Sequence, residues 1–292
     1  VVGPKPTTGR VSNRGVIPNS YTFDTVGPMC RTVQDAALLL SVIAGYDDRD
    51  PTSINVPVTD YANAVRARTS KMRVGVPRTP FYDNLDAEVA RAVEAALVVI
   101  RGIAGEMSDV QLPASPGLGP VSTAEIYAYH GPWVTKSPEL YQDATRRIVL
   151  GGAKTPADAY IDGLRRVELA RRDIVKAFAN IDVVVTPTTT GVTGLIPRQG
   201  SAPSPRTASA PAAASGGGGG GPSGFRNTSY FSFFGLPAIS VPCGFNQAGL
   251  PIGIQIAGPP FAEAAILALA HAYEQATEWH RRRPQLPPVS KR

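Results

Sequence analysis

The sequence predicts an α/β fold, and three observations point to it. Met72 to Pro77 reads as a strand, Asp86 to Ala104 places Val89, Val93, Leu97 and Ile100 on one helical face, and Glu106 to Leu112 reads as the next strand. Ile181 to Thr186 is a β-branched run of the kind buried on both faces of a sheet. Ala238 to Val241 and Ile252 to Ile256 are two more strands around a turn at Asn246 to Gly249. A strand-helix-strand crossover of this length implies neighbouring parallel strands with the helix covering one face.

Taken in chain order, Pro4 to Pro28 is rich in Gly, Pro, Asn and Thr and predicts loop with short strands. Thr32-Val33-Gln34-Asp35 approximates a capping box ahead of the apolar run Ala36 to Ile43, and Gly45 stands where a helix stop is expected. Asp47 to Pro51 makes a polar turn before the strand-helix-strand unit. Pro113 to Pro120 breaks that pattern, and Thr123 to Ala179 is largely helical. One start falls at Thr155-Pro156-Ala157-Asp158, with Thr as cap and Pro in the first turn. Residues 200 to 224 are low-complexity Ala, Ser, Pro and Gly and predict a mobile surface loop, because they offer too little apolar surface to offset chain entropy. Their six glycines lack the following Gly-Lys-Ser/Thr of a phosphate cradle. A last helix runs from Phe261 to about Glu278.

Composition narrows the function classes. The 292 residues are 43% hydrophobic and 18% charged, which excludes wholesale disorder. No apolar run approaches the roughly 18 to 20 residues that cross a bilayer, so no membrane partner is expected. The net charge of +6 is spread along the chain. Its densest groups, Arg165, Arg166, Arg171, Arg172 and Lys176 on one helix and Arg281 to Arg283, read as solvated faces, so nucleic acid is not expected either. Two cysteines, Cys30 and Cys243, lie outside any metal-binding or disulfide spacing and fit a reducing cytoplasm. No metal and no cofactor is expected, and Val1 to Pro6 carries no signal peptide.

Nucleophilic chemistry has no local signature. There is no Gly-x-Ser-x-Gly elbow, and His130, His271 and His280 are far apart, favouring helix-end and packing roles. Lys5 and Ser12 share one polar stretch without the Gly-rich backbone that approaches an oxyanion.

Other motifs carry a resemblance. Gly3-Pro4-Lys5-Pro6-Thr7-Thr8-Gly9-Arg10-Val11-Ser12, Phe23 to Ala37 and Ile43-Ala44-Gly45 closely resemble the amidase-signature family of amide hydrolases. Asp182 to Thr188, Gly235-Leu236-Pro237-Ala238-Ile239-Ser240-Val241-Pro242-Cys243-Gly244 and Gly249 to Gln255 resemble its C-terminal motifs in the same order. The resemblance spans the chain except residues 200 to 224. It implies an α/β/α sandwich around a large mixed sheet, with residues 1 to 292 as a partial amidase domain whose N-terminal part is missing. It also implies a catalytic trio of a nucleophilic serine, a second serine joined by a cis peptide bond, and a lysine. That trio falls before the family's equivalent of Val1, so no catalytic residue is carried over.

The substrate-binding residues that the resemblance suggests are Arg146, Arg147 and Phe225. Arg146-Arg147-Ile148-Val149-Leu150-Gly151 is similar to a stretch that, in the tRNA-dependent amidotransferase branch, supplies an arginine for the substrate's α-carboxylate. The two arginines point about 100° apart on a helix, so one at most faces a pocket, and a surface salt bridge is the competing reading. Phe225 stands ten positions before Gly235, where that branch has an acidic residue for an α-amino group. An aromatic there argues for a less polar amide, with packing beside Phe231, Phe233 and Phe234 as the alternative.

The function implied is an amide hydrolase of the general amidase type, releasing ammonia or amine from a carboxylic amide through an acyl-serine intermediate. The alternatives are a protein like the A-type subunit of an amidotransferase and a non-catalytic scaffold. The partners expected are a small-molecule amide, the N-terminal portion of the same fold, and a second copy of the chain as a homodimer. Alone, the chain is expected to be inactive.

Overall fold

The computed structural model describes residues 1–117, 119–192 and 225–284. Six strands, β1 (Gly3–Lys5), β2 (Arg73–Val76), β3 (Glu106–Asp109), β4 (Val183–Pro187), β5 (Ala238–Phe245) and β6 (Pro251–Ala257), form one mixed sheet in the order β1-β5-β6-β4-β2-β3. The helices are α1 (Val33–Ile43), α2 (Tyr61–Ala64), α3 (Arg78–Phe81), α4 (Ala87–Ile103), α5 (Gly119–Lys136), α6 (Asp143–Gly152), α7 (Ala157–Asp173), α8 (Arg226–Phe233) and α9 (Glu263–Gln275).

The predicted crossover is present: β2 pairs in parallel with β3, and α4 joins them. β2 also pairs in parallel with β4, where Arg73 and Asp182 lock the register. The Arg73 amide donates to Asp182 at 2.8 Å, its guanidinium reaches the same carboxylate at 2.7 Å, and the Asp182 amide donates back to the Arg73 carbonyl. The β5–β6 hairpin is antiparallel, and β6 runs antiparallel to β4, so the sheet changes direction at its centre.

Helices cover both faces, as an α/β/α sandwich requires. On one side Leu40 of α1, Val93, Leu97 and Ile100 of α4, and Leu267 and Leu269 of α9 pack on Val183, Val185, Ile239 and Ile254. On the other, Phe81, Ile174, Tyr230, Phe231 and Phe234 pack on Val184, Ala238 and Ala257. Alternate residues of β4 therefore enter opposite cores, which is why that strand reads as a continuous apolar run. Each fully buried Leu or Ile contributes about 1.5–3 kcal/mol.

Local signals place most boundaries. The Thr32 hydroxyl accepts the Asp35 amide at 3.1 Å and caps α1, and Asp86 caps α4 through Glu88. Three expectations need correction. α1 stops because Ala44 turns extended, while Gly45 only donates its amide to the Arg10 carbonyl. At α7 the cap position is held by Pro156, with no side-chain capping bond from Thr155. The predicted strand Glu106 to Leu112 ends at Asp109, and the chain from Val110 through Pro116 belongs to no strand. The low-complexity stretch 200 to 224 lies outside the described residues. No helix among the described residues is long and apolar enough to cross a membrane.

Candidate functional site

The residues suggested for substrate binding lie on two helices. Arg146 and Arg147 are on α6, where Arg146 pairs with Asp143 at 2.8 Å and Arg147 donates to the Asp143 carbonyl at 3.4 Å. Arg146 thus makes the surface ion pair that is its competing reading. Phe225 occupies the N-cap of α8 and is 62% exposed. Phe231, Phe233 and Phe234 are buried and make no ring contact with it, so the packing alternative is not realised. Among the described residues no hydrogen bond or ring contact joins the arginines to Phe225.

A more closely knit polar centre sits at the C-terminal end of β1, where the chain leaves the sheet as Pro6-Thr7-Thr8. The Thr7 amide donates to Glu263 Oε1 at 2.8 Å, and the Thr7 hydroxyl accepts the Phe261 amide at 2.8 Å. Phe261 has φ +65°, a strained value for a non-glycine residue. The guanidinium of Arg10, 4.6 Å from its ring centre, stacks on it. The Lys5 ammonium donates to the Pro6 carbonyl at 2.8 Å. The residue is half-buried with its charged end enclosed. Burial first, then the charge of Arg171, lower its pKa from 10.5 to about 7, against a smaller opposing pull from Glu263.

Sequence reasoning misplaces Arg171. Its spacing groups it with the solvated basic residues of α7, yet it turns inward. Its Nε donates to the Phe233 carbonyl at 3.2 Å and its Nη2 to the Thr22 carbonyl at 2.8 Å, with Phe23 beneath it. Burial lowers its pKa, partly offset by Glu125. Gly235, at φ +68°, lets the backbone pass under the guanidinium: a Cβ there would stand 3.3 Å from Arg171 Nε and 3.2 Å from Thr8 Oγ1. Together with Tyr21, Ile54, Phe234 and Phe261 these residues enclose a cleft of about 410 Å³. A larger cleft of about 830 Å³ opens at the C-terminal ends of β2 and β3, walled by Phe81, Leu112, Tyr230 and Phe233 with Arg78 and Arg226 at its polar positions.

The remaining candidates are structural. Ser12 donates to Asp47 at 3.0 Å and does not meet Lys5. Among the described residues no serine is hydrogen-bonded to a lysine or histidine. His130 bonds Tyr141 and the Pro18 carbonyl, the packing role expected of it. Burial pushes the Cys243 thiol up to about 12, which leaves it unreactive. No group of three or more metal-ligating side chains occurs among the described residues.

Comparison with known proteins matches this architecture. A family model described as Amidase matches residues 1–267. The chain is 35% identical over 313 residues to the A-type subunit of the glutamyl-tRNA(Gln) amidotransferase of Moorella thermoacetica, covering 98% of this chain and 61% of that protein. It is 34% identical over 286 residues to an amidase of Pseudomonas putida, covering 97% and 59%. Among solved structures, the peptide amidase PAM bound to the competitive inhibitor chymostatin superposes with TM-score 0.75 at 25% identity, covering 98% of this chain and 60% of that one. The 6-aminohexanoate cyclic dimer hydrolase, at TM-score 0.76 and 22% identity, covers 98% and 62% and speaks to the fold alone. The chain spans about three fifths of the length of the curated relatives it matches.

Proposed function

The chain belongs to the amidase family, and from that premise we propose that it is part of a carbon-nitrogen hydrolase acting on small carboxylic amides, of the general amidase type. The observation that carries this reading is the match of the family model from residue 1 to residue 267, across both halves of the chain. In the mechanism that the resemblance implies, a serine oxygen attacks the amide carbonyl, its proton goes to the departing nitrogen, and ammonia leaves an acyl-serine ester. Water then cleaves the ester, releasing the carboxylic acid and restoring the hydroxyl. We assign none of the catalytic trio to these 292 residues and read the chain alone as inactive; its contribution is the wall of the substrate site, with Arg146 or Arg147 and the exposed ring of Phe225 as contacts. The free state of Cys30 and Cys243 supports a cytoplasmic setting.

Identity to the Moorella thermoacetica protein supports a second reading, a glutamine-using amidotransferase component working with partner subunits. Phe225 favours the first, since an aromatic ring offers no counter-charge for an α-ammonium group. The test is to express the chain in frame with the coding sequence upstream of Val1 and measure ammonia release. Ammonia from benzamide and acetamide is expected. Ammonia from glutamine alone would move the assignment to the amidotransferase branch, and none from any amide would leave a non-catalytic scaffold.

A further inference from the structure

Near the end of β1 the guanidinium of Arg171 lacks a matching anion among the described residues, whereas Lys5 has the carboxylate of Glu263 acting on its charge. Arg171 spends Nε and Nη2 on neutral carbonyls, Nη1 has no partner among the described residues, and that nitrogen is not shut off from solvent. No carboxylate lies within ion-pair distance of Arg171 among the described residues. Glu125 comes nearest in effect, but its oxygens already accept from Ser20, Thr22 and Tyr160. Lys5, whose charge repels that of Arg171, donates only to the carbonyl of Pro6. The cleft that Arg171 lines has no acidic residue in its wall, and Lys5 is not part of that wall. The cleft offers the Thr8 hydroxyl, which meets the guanidinium across Gly235, the side chain of Tyr21 elsewhere in the wall, and apolar surface from Ile54, Phe234 and Phe261. A positive site with hydroxyl donors and one apolar wall has the chemistry to hold a carboxylate attached to an apolar group.

We propose that this cleft, between the end of β1 and the inward-turned Arg171 of α7, is a carboxylate site that takes the acid released from an amide. The carboxylate lies against Arg171 Nη1 and the Thr8 hydroxyl, and the apolar part rests on Ile54, Phe234 and Phe261. The proposal rests on the amide-hydrolase reading for the identity of the acid. Lys5 does not line the cleft, but its charge acts on Arg171 and so adds a pH dependence. The charged groups that face it are Arg171 from α7 and Glu263 from α9, while β5, paired alongside, brings only Ala238, Ile239 and Ser240. A bound anion favours the protonated lysine, so binding takes up protons near neutral pH and weakens as pH rises past the lysine's titration.

Isothermal titration of residues 1–292 with benzoate and with benzamide tests this directly. Benzoate is expected to bind at least tenfold more tightly than benzamide at about pH 6, and to lose several-fold in affinity by about pH 8.5. Arg171→Gln should cost at least tenfold for benzoate, and Lys5→Met should flatten the pH dependence while leaving a cooperative thermal melt. If Arg171→Gln does not melt cooperatively, Lys5→Met and Thr8→Val decide. Equal affinity for benzoate and benzamide, or benzoate binding that Lys5→Met and Thr8→Val leave unchanged at both pH values, would overturn the site. Because titration involves no turnover, benzoate binding without ammonia release from the extended protein counts against the hydrolase reading only. Ammonia release without benzoate binding counts against this site only.

Discussion

Glu125 sits buried on α5 with both oxygens occupied: Oε2 accepts from the Ser20 hydroxyl and the Thr22 amide, Oε1 from the Thr22 hydroxyl at 2.6 Å and the Tyr160 hydroxyl at 3.2 Å. It ties the loop after β1 to the helical layer. Glu125→Ala leaves those donors without partners in a buried place, so a loss of about 2–4 kcal/mol is expected in urea unfolding; a change below about 1 kcal/mol would mean that water replaces the carboxylate freely. Lys5 makes a prediction of opposite character. Its pKa is about 7 in the folded chain against 10.5 as an ordinary lysine. Between those values the unfolded chain binds more protons, so this group makes stability rise with pH, and its full cost is present below pH about 7. Compared with Lys5→Met, the wild type should gain stability from about pH 6 to about pH 9; parallel curves would show that the ammonium is not enclosed. Neither role is legible locally, because the partners of Glu125 at Ser20 and Thr22 lie more than a hundred residues away and Arg171 carries the same sequence signature as its exposed neighbour Arg172.

Single elements are the best-marked level of the sequence. α4 is announced by its apolar spacing, and the structure places Val89, Val93, Leu97 and Ile100 in the core with Asp86 as cap. Ile100→Ala should therefore cost about 2–5 kcal/mol, read as a fall in melting temperature or urea midpoint. β4 is equally plain. What the sequence does not mark is how helices approach each other. At Gly152 of α6 a Cβ would collide with the Thr123 carbonyl of α5, so the two helices cross in contact there. Gly152→Ala should destabilise by about 1–3 kcal/mol despite the better helix propensity of alanine. A stabilised variant would show that the crossing can widen without loss. In sequence Gly152 is one of a Gly-Gly pair near a helix end, indistinguishable from Gly151, which meets nothing within 4 Å.

At the scale of the molecule, the sheet's centre and its margins differ in how well they are covered. β4, β5 and β6 are buried between two cores, while β3 is an edge strand with most of its residues exposed. Hydrogen exchange should be slowest in β4 to β6 and fastest in β3 and α6; equal protection of β3 and β4 would contradict this order. The α/β class is legible because period and β-branching report burial, while the α/β/α sandwich is implied by the resemblance of the motifs that cluster around the strands. The candidate site is less so. Motif spacing singles out Arg146, Arg147 and Phe225, which stand on separate helices, whereas the polar centre assembled by Lys5, Thr7, Arg171, Gly235 and Glu263 draws on the whole length of the chain.

That assembly has a consequence in time as well as space. Among the described residues β1 pairs with Ala238 to Ser240 of β5, which leave the ribosome about 235 residues later, or about 10–50 s at ordinary elongation rates. The crossover of β2, α4 and β3 can close early from local contacts, yet β2 still waits for β4. During synthesis the nascent chain therefore carries a finished crossover while β1 still waits for β5, and β5 and β6 are the strands that join these pieces into a single sheet.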